Sequence, residues 1–342
     1  MSTRQKTGVI SIIFVFGVFF WFLALTGEAA TVVCTGQPGQ KLLQSAIDAA
    51  VSGDTISVSG ICNESIDIAK SGITIDGGDI NGNPTAEIHV PVSTTVNAVR
   101  IRAGAVTLKN FKSIQGGRDG VYVVSSTGTT ILNNTIQNTG RDGVFVDLGA
   151  APTINGNTIN NNPRQGITVF ANAFATIIKN TITNNQGAGI YITESSAARI
   201  GFVGTSETTA SSNTITFNDG DGIVVTRASN AYIVGNTISN NDGNGVTVTK
   251  VSHAGVCDNT INQNGGNGIE VSEGSGANLG SETPSTPPTI FELPNTTTVN
   301  NGGRGLECSI GGYVDGPLGT LNGIYGKKSV TRGCVNSLSP PF

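Results

Sequence analysis

The stretch GVFVDLGAAPTINGNTI, residues 143–159, lies within one period of a repeat that runs through most of this chain. Its short alternating apolar runs are separated by Gly and Asn, a pattern that favours strands and tight turns over helices. A glycine followed by a β-branched or aliphatic residue recurs, mostly every 23 residues, at Gly120, Gly143, Gly166, Gly189, Gly222, Gly245, Gly268 and Gly305. A fixed period of this size predicts stacked coils, and we interpret the chain as an all-β parallel β-helix solenoid.

An Asn-Thr-Ile triplet keeps the same step, apart from one insertion at about 201–210. Aligned periods give three apolar columns that we expect to fill the interior: Ile131, Ile154, Ile177, Ile233 and Val256; Ile136, Ile159, Ile182, Ile215, Ile238 and Ile261; and Val121, Val144, Ile167, Ile190, Ile223, Val246 and Ile269. The triplet asparagines are Asn134, Asn157, Asn180, Asn213, Asn236 and Asn259. They are predicted to form a structural ladder at a turn, because asparagine tolerates strained dihedrals and its amide can bond the next coil.

The composition fits one elongated repeat domain, which we place at 30–342 with repeat coils at about 63–305. The chain has 342 residues, 47 of them glycine, and only 12% are charged. We expect about ten coils and little helix. The formal net charge is −4 and no basic stripe is evident, so nucleic acid is not an expected partner.

The N-terminal segment, residues 1–29, resembles an export signal. Arg4 and Lys6 precede an apolar run from Val9 to Leu25, and small residues follow. The run is also near the lower limit for a membrane-spanning helix, so an uncleaved transmembrane anchor is the alternative. We therefore expect a secreted, periplasmic or cell-envelope protein that contacts a membrane only through this segment if it is not cleaved.

The cysteines and the ends of the repeat predict two caps. Cys34 with Cys62, and Cys308 with Cys334, lie where a solenoid must be closed, so we expect two terminal disulfide bonds. The N-terminal cap, 34–62, includes apolar residues at helical spacing in 40–51, which predicts one short helix before a first strand at 55–58. The segment 306–342 loses the repeat and is the predicted C-terminal cap. Cys257 is expected to be a small buried residue.

The opening of the chain resembles a known superfamily. The stretches LLQSAIDAAVSGDTI (42–56), GICNES (60–65) and GITIDG (72–77), with the repeats, look like secreted right-handed β-helix proteins of the pectate-lyase-like superfamily. The resemblance covers about residues 40–335 and is greatest to the right-handed parallel β-helix repeat-containing proteins. It implies a right-handed coil and a bias towards carbohydrate, since the superfamily includes pectate lyases, polygalacturonases, alginate epimerases and phage tailspikes. It implies no single reaction.

Two successive coils carry Gly-Arg-Asp-Gly, and the next has an arginine in the same register, so Arg118, Arg141 and Arg164 should stack, as should Asp119 and Asp142. Neighbouring strands lie about 4.8 Å apart, so the carboxylates would repel one another unless an arginine or a cation lies between them. Arginine binds carboxylates in a bidentate manner, which suits an acidic sugar. The alternative is a solvated turn whose charges neutralise one another.

The outward residues two positions after the repeated glycine are, in four consecutive coils, Tyr122, Phe145, Thr168 and Tyr191. Exposed aromatic side chains on a strand face favour stacking against sugar rings. Further polar and aromatic candidates lie just beyond, at Asp147, Phe170 and Glu194. The alternative is an ordinary β-sheet surface enriched in aromatic residues.

Metal and cofactor signals are weak. The turns 218–222 and 241–245 are rich in oxygen ligands but lack a known calcium loop, and both histidines are isolated. We expect no metal site and no cofactor, with calcium as the open alternative. The motif sets of polygalacturonases and alginate epimerases are also missing from this sequence.

Three functions therefore compete, and whether the chain is an enzyme stays open. The first is an exported protein that binds a polysaccharide, acidic or not, through Arg118, Arg164, Tyr122, Phe145 and Tyr191. The second is a polysaccharide lyase, hydrolase or epimerase acting on acidic glycans, with Arg141 as base or clamp and Asp119 and Asp142 as acid or metal groups. The third is a structural or adhesive surface protein without catalysis.

Overall fold

The computed structural model describes residues 29–204, 207–281, 283–331 and 333–339. The chain winds as a parallel β-helix whose strands form two parallel sheets, of 21 and 11 strands. The larger sheet contains two ladders of strands, which are joined because Thr55–Cys62 pairs with strands of both. The structure has about 13 turns, so the expected number of about ten was too low. The periodic alignment missed the irregular first and last coils, which lack the repeated glycine.

The strands fall into three ladders. The first ladder comprises Ala29–Thr35, Thr55–Cys62, Thr74–Asp76, Thr107–Lys109, Thr127–Leu132, Ala151–Asn155, Phe174–Ile178, Ala197–Ile200, Asn230–Val234, His253–Cys257, Gly276–Asn278, Tyr313–Pro317 and Val335–Ser339. The second ladder comprises Ala86–Val92, Phe111–Gly117, Thr135–Gln137, Thr158–Asn160, Thr181–Thr183, Thr214–Thr216, Thr237–Ser239 and Thr260–Asn262. The 11-stranded sheet comprises Ile66–Ile68, Val99–Ile101, Val121–Val124, Val144–Asp147, Ile167–Val169, Ile190–Ile192, Ile223–Val225, Val246–Val248, Ile269–Val271, Leu306–Cys308 and Lys328–Val330.

The core follows the predicted columns. Every residue of the three apolar columns is fully buried. Alternate residues of a strand point to opposite faces, so one or two inward residues per short strand supply each layer of the core. The repeated glycine is required by close approach, because a Cβ atom at Gly143 would lie 2.5 Å from Ile159 Cγ2 and 2.7 Å from the Gly166 carbonyl oxygen.

Two asparagine ladders connect the coils at their turns. In the predicted ladder, the backbone N–H of Asn157 and its Nδ2 both donate to Asn180 Oδ1, at 2.9 and 3.0 Å. The same Nδ2 also donates to the carbonyl of Ile131 at 2.9 Å. A second ladder, which the sequence analysis missed, repeats this arrangement at Asn162, Asn185, Asn218, Asn241, Asn264 and Asn301. The buried amides of these two ladders are thus satisfied by one another and by the backbone.

Both predicted caps are confirmed. Helix α1 (Leu42–Ala49) covers the N-terminal end, and its first free N–H groups, those of Leu43 and Gln44, donate to the buried carboxylate of Glu64 at 2.9 and 3.0 Å. Disulfide bonds join Cys34 to Cys62 and Cys308 to Cys334. Cys257 is buried, and burial raises the pKa of its thiol to about 12.

The prediction that the first strand lies at 55–58 was wrong, because another strand precedes the helix. The strand Ala29–Thr35 precedes α1 and pairs in parallel with Thr55–Cys62. The predicted signal or anchor at 1–29 lies outside the described residues except for Ala29. Within the part of the chain that the structure describes, no helix is long and apolar enough to cross a membrane.

Candidate functional site

A cleft of about 510 Å³ lies on the outer side of the 11-stranded sheet, across the coils that carry the Arg-Asp turns. Strand alternation creates the cleft. In Val144–Asp147, the two valines point into the core, and Phe145 and Asp147 point outward. The lining residues are Arg118, Tyr122, Arg141, Phe145, Asp147, Arg164, Gln165, Thr168, Phe170, Tyr191, Thr193 and Arg227. All five residues predicted to bind substrate and Arg141 therefore line one cleft.

Arg141 is held at the centre of the cleft floor. Its guanidinium donates two hydrogen bonds to Asp119, from Nε to Oδ1 at 2.8 Å and from Nη2 to Oδ2 at 2.9 Å. Arg141 Nε also lies 3.3 Å from Asp142 Oδ2. Asp119 and Asp142 are only 1% and 0% exposed, and neither is among the residues that line the cleft. The predicted stack of carboxylates thus forms, but beneath the floor, with Arg141 between it and the cleft.

Asp142 is a fully buried carboxyl group with one oxygen that accepts no hydrogen bond. Its Oδ1 accepts a hydrogen bond from the backbone N–H of Gln165 at 3.1 Å, whereas its buried Oδ2 accepts none. Burial raises the pKa of Asp142 to about 6, and Asp119 adds to the rise, while Arg164 and Arg141 act against it. Desolvation of the charged form therefore outweighs the attraction of two arginines.

The other two arginines are differently placed. Arg164 is exposed and makes no ion pair with any described residue, although its backbone N–H donates to the carbonyl of Arg141 at 3.0 Å. Arg118 is partly exposed, and its Nε lies 3.8 Å from Asp119 Oδ2, too far for a hydrogen bond. Two guanidinium groups are therefore available to a ligand, one on each side of the fixed Arg141.

The aromatic column forms a packed wall. The ring centroids of Tyr122 and Phe145 lie 5.8 Å apart, as do those of Phe145 and Phe170. The Arg141 guanidinium carbon lies 4.4 Å from the Phe145 ring centroid, which is cation–π geometry. Phe145 is only 9% exposed, so the expectation of an exposed aromatic residue was wrong there: its neighbours cover the ring. Tyr122 and Tyr191 are half-buried and remain accessible.

Tyr122 also pairs with Asp147, donating a hydrogen bond from its hydroxyl to Asp147 Oδ2 at 2.7 Å. Burial and the neighbouring Asp147 carboxylate raise the pKa of Tyr122 to about 12. The phenol is therefore protonated at neutral pH. It can donate a hydrogen bond, but it cannot accept a proton from a substrate.

Comparison with known proteins supports the architecture. Residues 44–202 and 194–283 match the family model described as "Right handed beta helix region". These overlapping stretches span more than half of the chain. The chain belongs to the right-handed β-helix family. No curated protein matches it in sequence.

Solved structures share this β-helix at low identity. The crystal structure of pectate lyase Pel9A is 13% identical and has a TM-score of 0.50, with 92% of this chain and 80% of that chain covered. The Azotobacter vinelandii mannuronan C-5 epimerase AlgE6 A-module is 16% identical, with a TM-score of 0.45 and coverage of 92% and 90%. The alginate lyase from Paenibacillus sp. str. FPU-7 is 13% identical, with a TM-score of 0.43 and coverage of 90% and 99%. At such identities the likeness to the pectate lyase concerns the fold alone.

Three residues that line the cleft, Gln165, Thr193 and Arg227, were not predicted from the sequence. Gln165 precedes the repeated glycine, and Thr193 follows the next one by four positions, in line with Asp147 and Phe170. The repeat contains the register that identifies Thr193, but the predicted residue was its neighbour, Glu194. Arg227 belongs to the next coil and pairs with Glu194, Nη1 to Oε1, at 2.8 Å.

Metal ligands are not assembled in the cleft. Among the described residues, one group of three side chains is close enough to hold a metal ion: Cys34, Cys62 and Glu64. The two cysteines form a disulfide bond and Glu64 caps α1, so this group has other roles. In the oxygen-rich turns considered for calcium, Asp221 already accepts hydrogen bonds from the Asn244 N–H at 2.7 Å and the Thr247 hydroxyl at 2.8 Å.

Proposed function

We propose that the cleft binds an extended polysaccharide that carries carboxylate groups. The observation that carries the proposal is the pair of accessible arginines, Arg118 and Arg164, on either side of the fixed Arg141 in one cleft. Four arginines and one aspartate line the cleft, although the whole chain has a net charge of −4. Guanidinium groups bind carboxylates through paired hydrogen bonds, so an anionic ligand matches this local excess of positive charge.

The dimensions of the coils favour a polymer over a small anion. Arg118 and Arg164 lie two coils apart in the repeat, which corresponds to about 9.6 Å at the spacing of β-strands. Tyr122 and Tyr191 lie on the same face, three coils apart, and offer ring surfaces for sugar stacking. A chain of sugar rings lying along the solenoid axis meets all four side chains.

The geometry favours binding over catalysis. Proton abstraction requires an accessible base within hydrogen-bond reach of the substrate. Asp119 and Asp142 lie beneath the floor, Arg141 is paired with Asp119, and Tyr122 is protonated. Among the described lining residues, Asp147 is the one carboxylate, and it accepts the Tyr122 hydroxyl. Arg141 therefore acts in this proposal as a positioning residue that shapes the floor.

Export completes the proposal. Two disulfide bonds close the two ends of the solenoid, and disulfide bonds persist in oxidising compartments. Together with the signal-like residues 1–29, the disulfide bonds support a location outside the cell or in the cell envelope, where polysaccharides are found. Fractionation of cells producing the chain, followed by N-terminal sequencing, tests both export and cleavage.

The test of binding uses oligogalacturonate and oligomannuronate, titrated calorimetrically into the purified protein with and without calcium. We expect saturable binding that weakens as salt is added, and at least a tenfold loss of affinity in Arg118→Ala/Arg164→Ala. Arg199→Ala is the matched control, because Arg199 is an exposed arginine on the other sheet and outside the cleft.

The same samples are assayed for unsaturated products and for new reducing ends. Turnover that is lost in Arg141→Ala would support the enzymatic alternative. Absence of binding to either uronate or to any neutral glycan would overturn the proposal in favour of a structural or adhesive rod. Equal affinity of the double variant and the Arg199 control would place the binding site elsewhere.

A further inference from the structure

Two outward columns run side by side across the cleft, and their side chains meet diagonally. The first column holds the residues two positions after each repeated glycine, and the second holds those four positions after it. The Tyr122 hydroxyl donates to Asp147 on the next coil at 2.7 Å. One coil further on, Phe145 packs against Phe170 with centroids 5.8 Å apart. Each diagonal pair so far is satisfied within the protein.

The third diagonal pair, Thr168 and Thr193, breaks this rule. Their hydroxyl groups have no hydrogen-bond partner within the described structure. Both side chains are more than nine-tenths buried, at 4% and 3% exposure, and both line the cleft. The carboxamide oxygen of Gln165, on the same coil as Thr168, is also buried and unpaired. Buried polar groups are normally paired, so three unpaired oxygens in one cleft indicate a place for a polar ligand.

The shape of this place is set by the aromatic column. Thr168 pairs in register with Phe145 on one side and with Tyr191 on the other. The small threonine therefore leaves a gap between two aromatic side chains whose strands are about 9.6 Å apart. A gap of two strand spacings accommodates one six-membered ring between two aromatic neighbours. We call this gap, with Gln165, Thr168 and Thr193 at its base, the threonine notch.

We propose that the threonine notch is a subsite for one sugar ring of the polymer, which it recognises through two neighbouring ring hydroxyls. This inference rests on the proposed function and adds to it. A hydroxyl both donates and accepts, so two adjacent ring hydroxyls can pair with both threonines and with the Gln165 oxygen. A carboxylate only accepts and would leave that oxygen unpaired. Carboxylates are bound at the rim by arginine, and hydroxyls at the base by threonine.

The experiment uses the full chain and the two oligouronates, each also prepared with its ring hydroxyls methylated. Thr168→Val and Thr193→Val keep the shape of the side chain and remove the hydroxyl. We expect each to weaken binding about tenfold, because a buried ligand hydroxyl loses its partner. Thr168→Tyr fills the notch with a residue type that neighbouring coils carry at this position, and it should abolish binding while the protein stays folded.

Thr226→Val is the matched control, since Thr226 lies one coil after Thr193 in the same column, is buried and does not line the cleft. Methylation should weaken binding to the wild type and have no further effect in Thr168→Val/Thr193→Val, which is the signature of a direct contact. If the wild type binds and both valine variants bind equally well, the notch proposal is wrong and the proposed function stands. If the wild type binds no oligouronate, the proposed function fails, and the notch proposal fails with it.

Discussion

The outer side of the 11-stranded sheet has two halves that share one backbone and differ in their side chains. In the upstream half, guanidinium groups of the Arg-Asp turns face the cleft, and two threonine hydroxyl groups that line it are unpaired. In the downstream half, Asp221 and Asn244 occupy the position before the repeated glycine, and Thr247 and Glu270 occupy the position two residues after it. There Asn244 Nδ2 donates to Glu270 Oε2 at 2.9 Å and to Thr247 Oγ1 at 3.0 Å.

The downstream half is therefore a closed network whose carboxylates and amides satisfy one another. In the upstream half, Arg141 binds Asp119 beneath the floor, and the side above the floor is open. The backbone pairing is the same in both halves, with parallel register from Val121 to Val271. The coil thus supplies a scaffold, and its outward side chains decide whether a stretch of it can bind a ligand.

The largest difference between the halves should come from the residue before the repeated glycine. Asp119→Ala leaves the mostly buried Arg141 without its bidentate partner, and we expect a loss of about 3–5 kcal/mol in the free energy of unfolding. Asp221→Ala, at the same repeat position, loses only two hydrogen bonds and should cost about 1–2 kcal/mol. Urea unfolding of both variants measures the difference. Equal losses in the free energy of unfolding would mean that the two halves do not differ in how strongly this position stabilises them.

A second difference concerns pH, because the pKa of Asp142 is raised to about 6 by burial. The folded state holds this proton more tightly than the unfolded state, whose pKa is near 3.8. The contribution of Asp142 to stability is therefore fully present below about pH 4 and is lost as the pH rises to about 6. The stability of the wild type relative to Asp142→Asn should fall by about 3 kcal/mol over this range, measured by urea unfolding at each pH.

Asp76→Asn provides a control of opposite sign. Burial raises the pKa of Asp76, but hydrogen bonds from Gly78 and Asn110 and the Lys109 ion pair outweigh burial, and the net shift is downward. The stability that Asp76 contributes is therefore present above its unfolded pKa and is lost as the pH falls. Parallel slopes for the two variants would show that the Asp142 environment has been misassigned.

The aromatic wall gives a smaller contrast. Phe145→Leu removes ring contacts with Tyr122 and Phe170 and the stacked Arg141, and we expect a cost of about 2 kcal/mol. Thr247→Val, at the equivalent downstream position, loses hydrogen bonds at its hydroxyl and should cost about 1 kcal/mol. Thermal unfolding separates the two, and a Phe145→Leu variant as stable as the wild type would show that the wall does not stabilise the cleft.

The smallest effect should come from the ion pair at the boundary between the halves. Arg227 and Glu194 are 2.8 Å apart, but both side chains are about half exposed. Glu194→Gln should therefore change the free energy of unfolding by less than about 0.5 kcal/mol. A larger loss on thermal unfolding would mean that this pair fixes the two halves to one another.

Sequence periodicity predicted the parts of the molecule that repeat. The core columns and the Asn-Thr-Ile ladder follow from where residues fall in a 23-residue period, because equal positions in stacked coils share one environment. Both disulfide bonds were predicted from cysteines at the two ends of the repeat, where a solenoid must be closed. The second asparagine ladder follows the same step, so it could have been predicted from the sequence in the same way. The Glu64 cap was not, since it lies 21 residues from Leu43 and no local signal connects a carboxylate to a distant helix end.

The cleft shows why a register alone does not define a site. Arg118, Arg141 and Arg164 occupy the same position in three successive coils, and the sequence gives no reason to separate them. The structure separates them because Asp119 is buried and its carboxylate takes one guanidinium as a bidentate partner. Which arginine stays free therefore depends on side-chain geometry between coils, which periodicity does not contain.

The asparagine ladder also says how such a molecule can change over evolutionary time. The backbone N–H of Asn180 meets Asn213 Oδ1 at 2.9 Å across the 33-residue coil, the same distance that joins Asn157 to Asn180 across a 23-residue one. A coil can thus gain a loop, or a whole coil can be duplicated within the gene, while the joint to its neighbours stays identical. Each duplication lengthens the outer face of the solenoid by one strand spacing, about 4.8 Å, so the length of the molecule is inherited in whole steps.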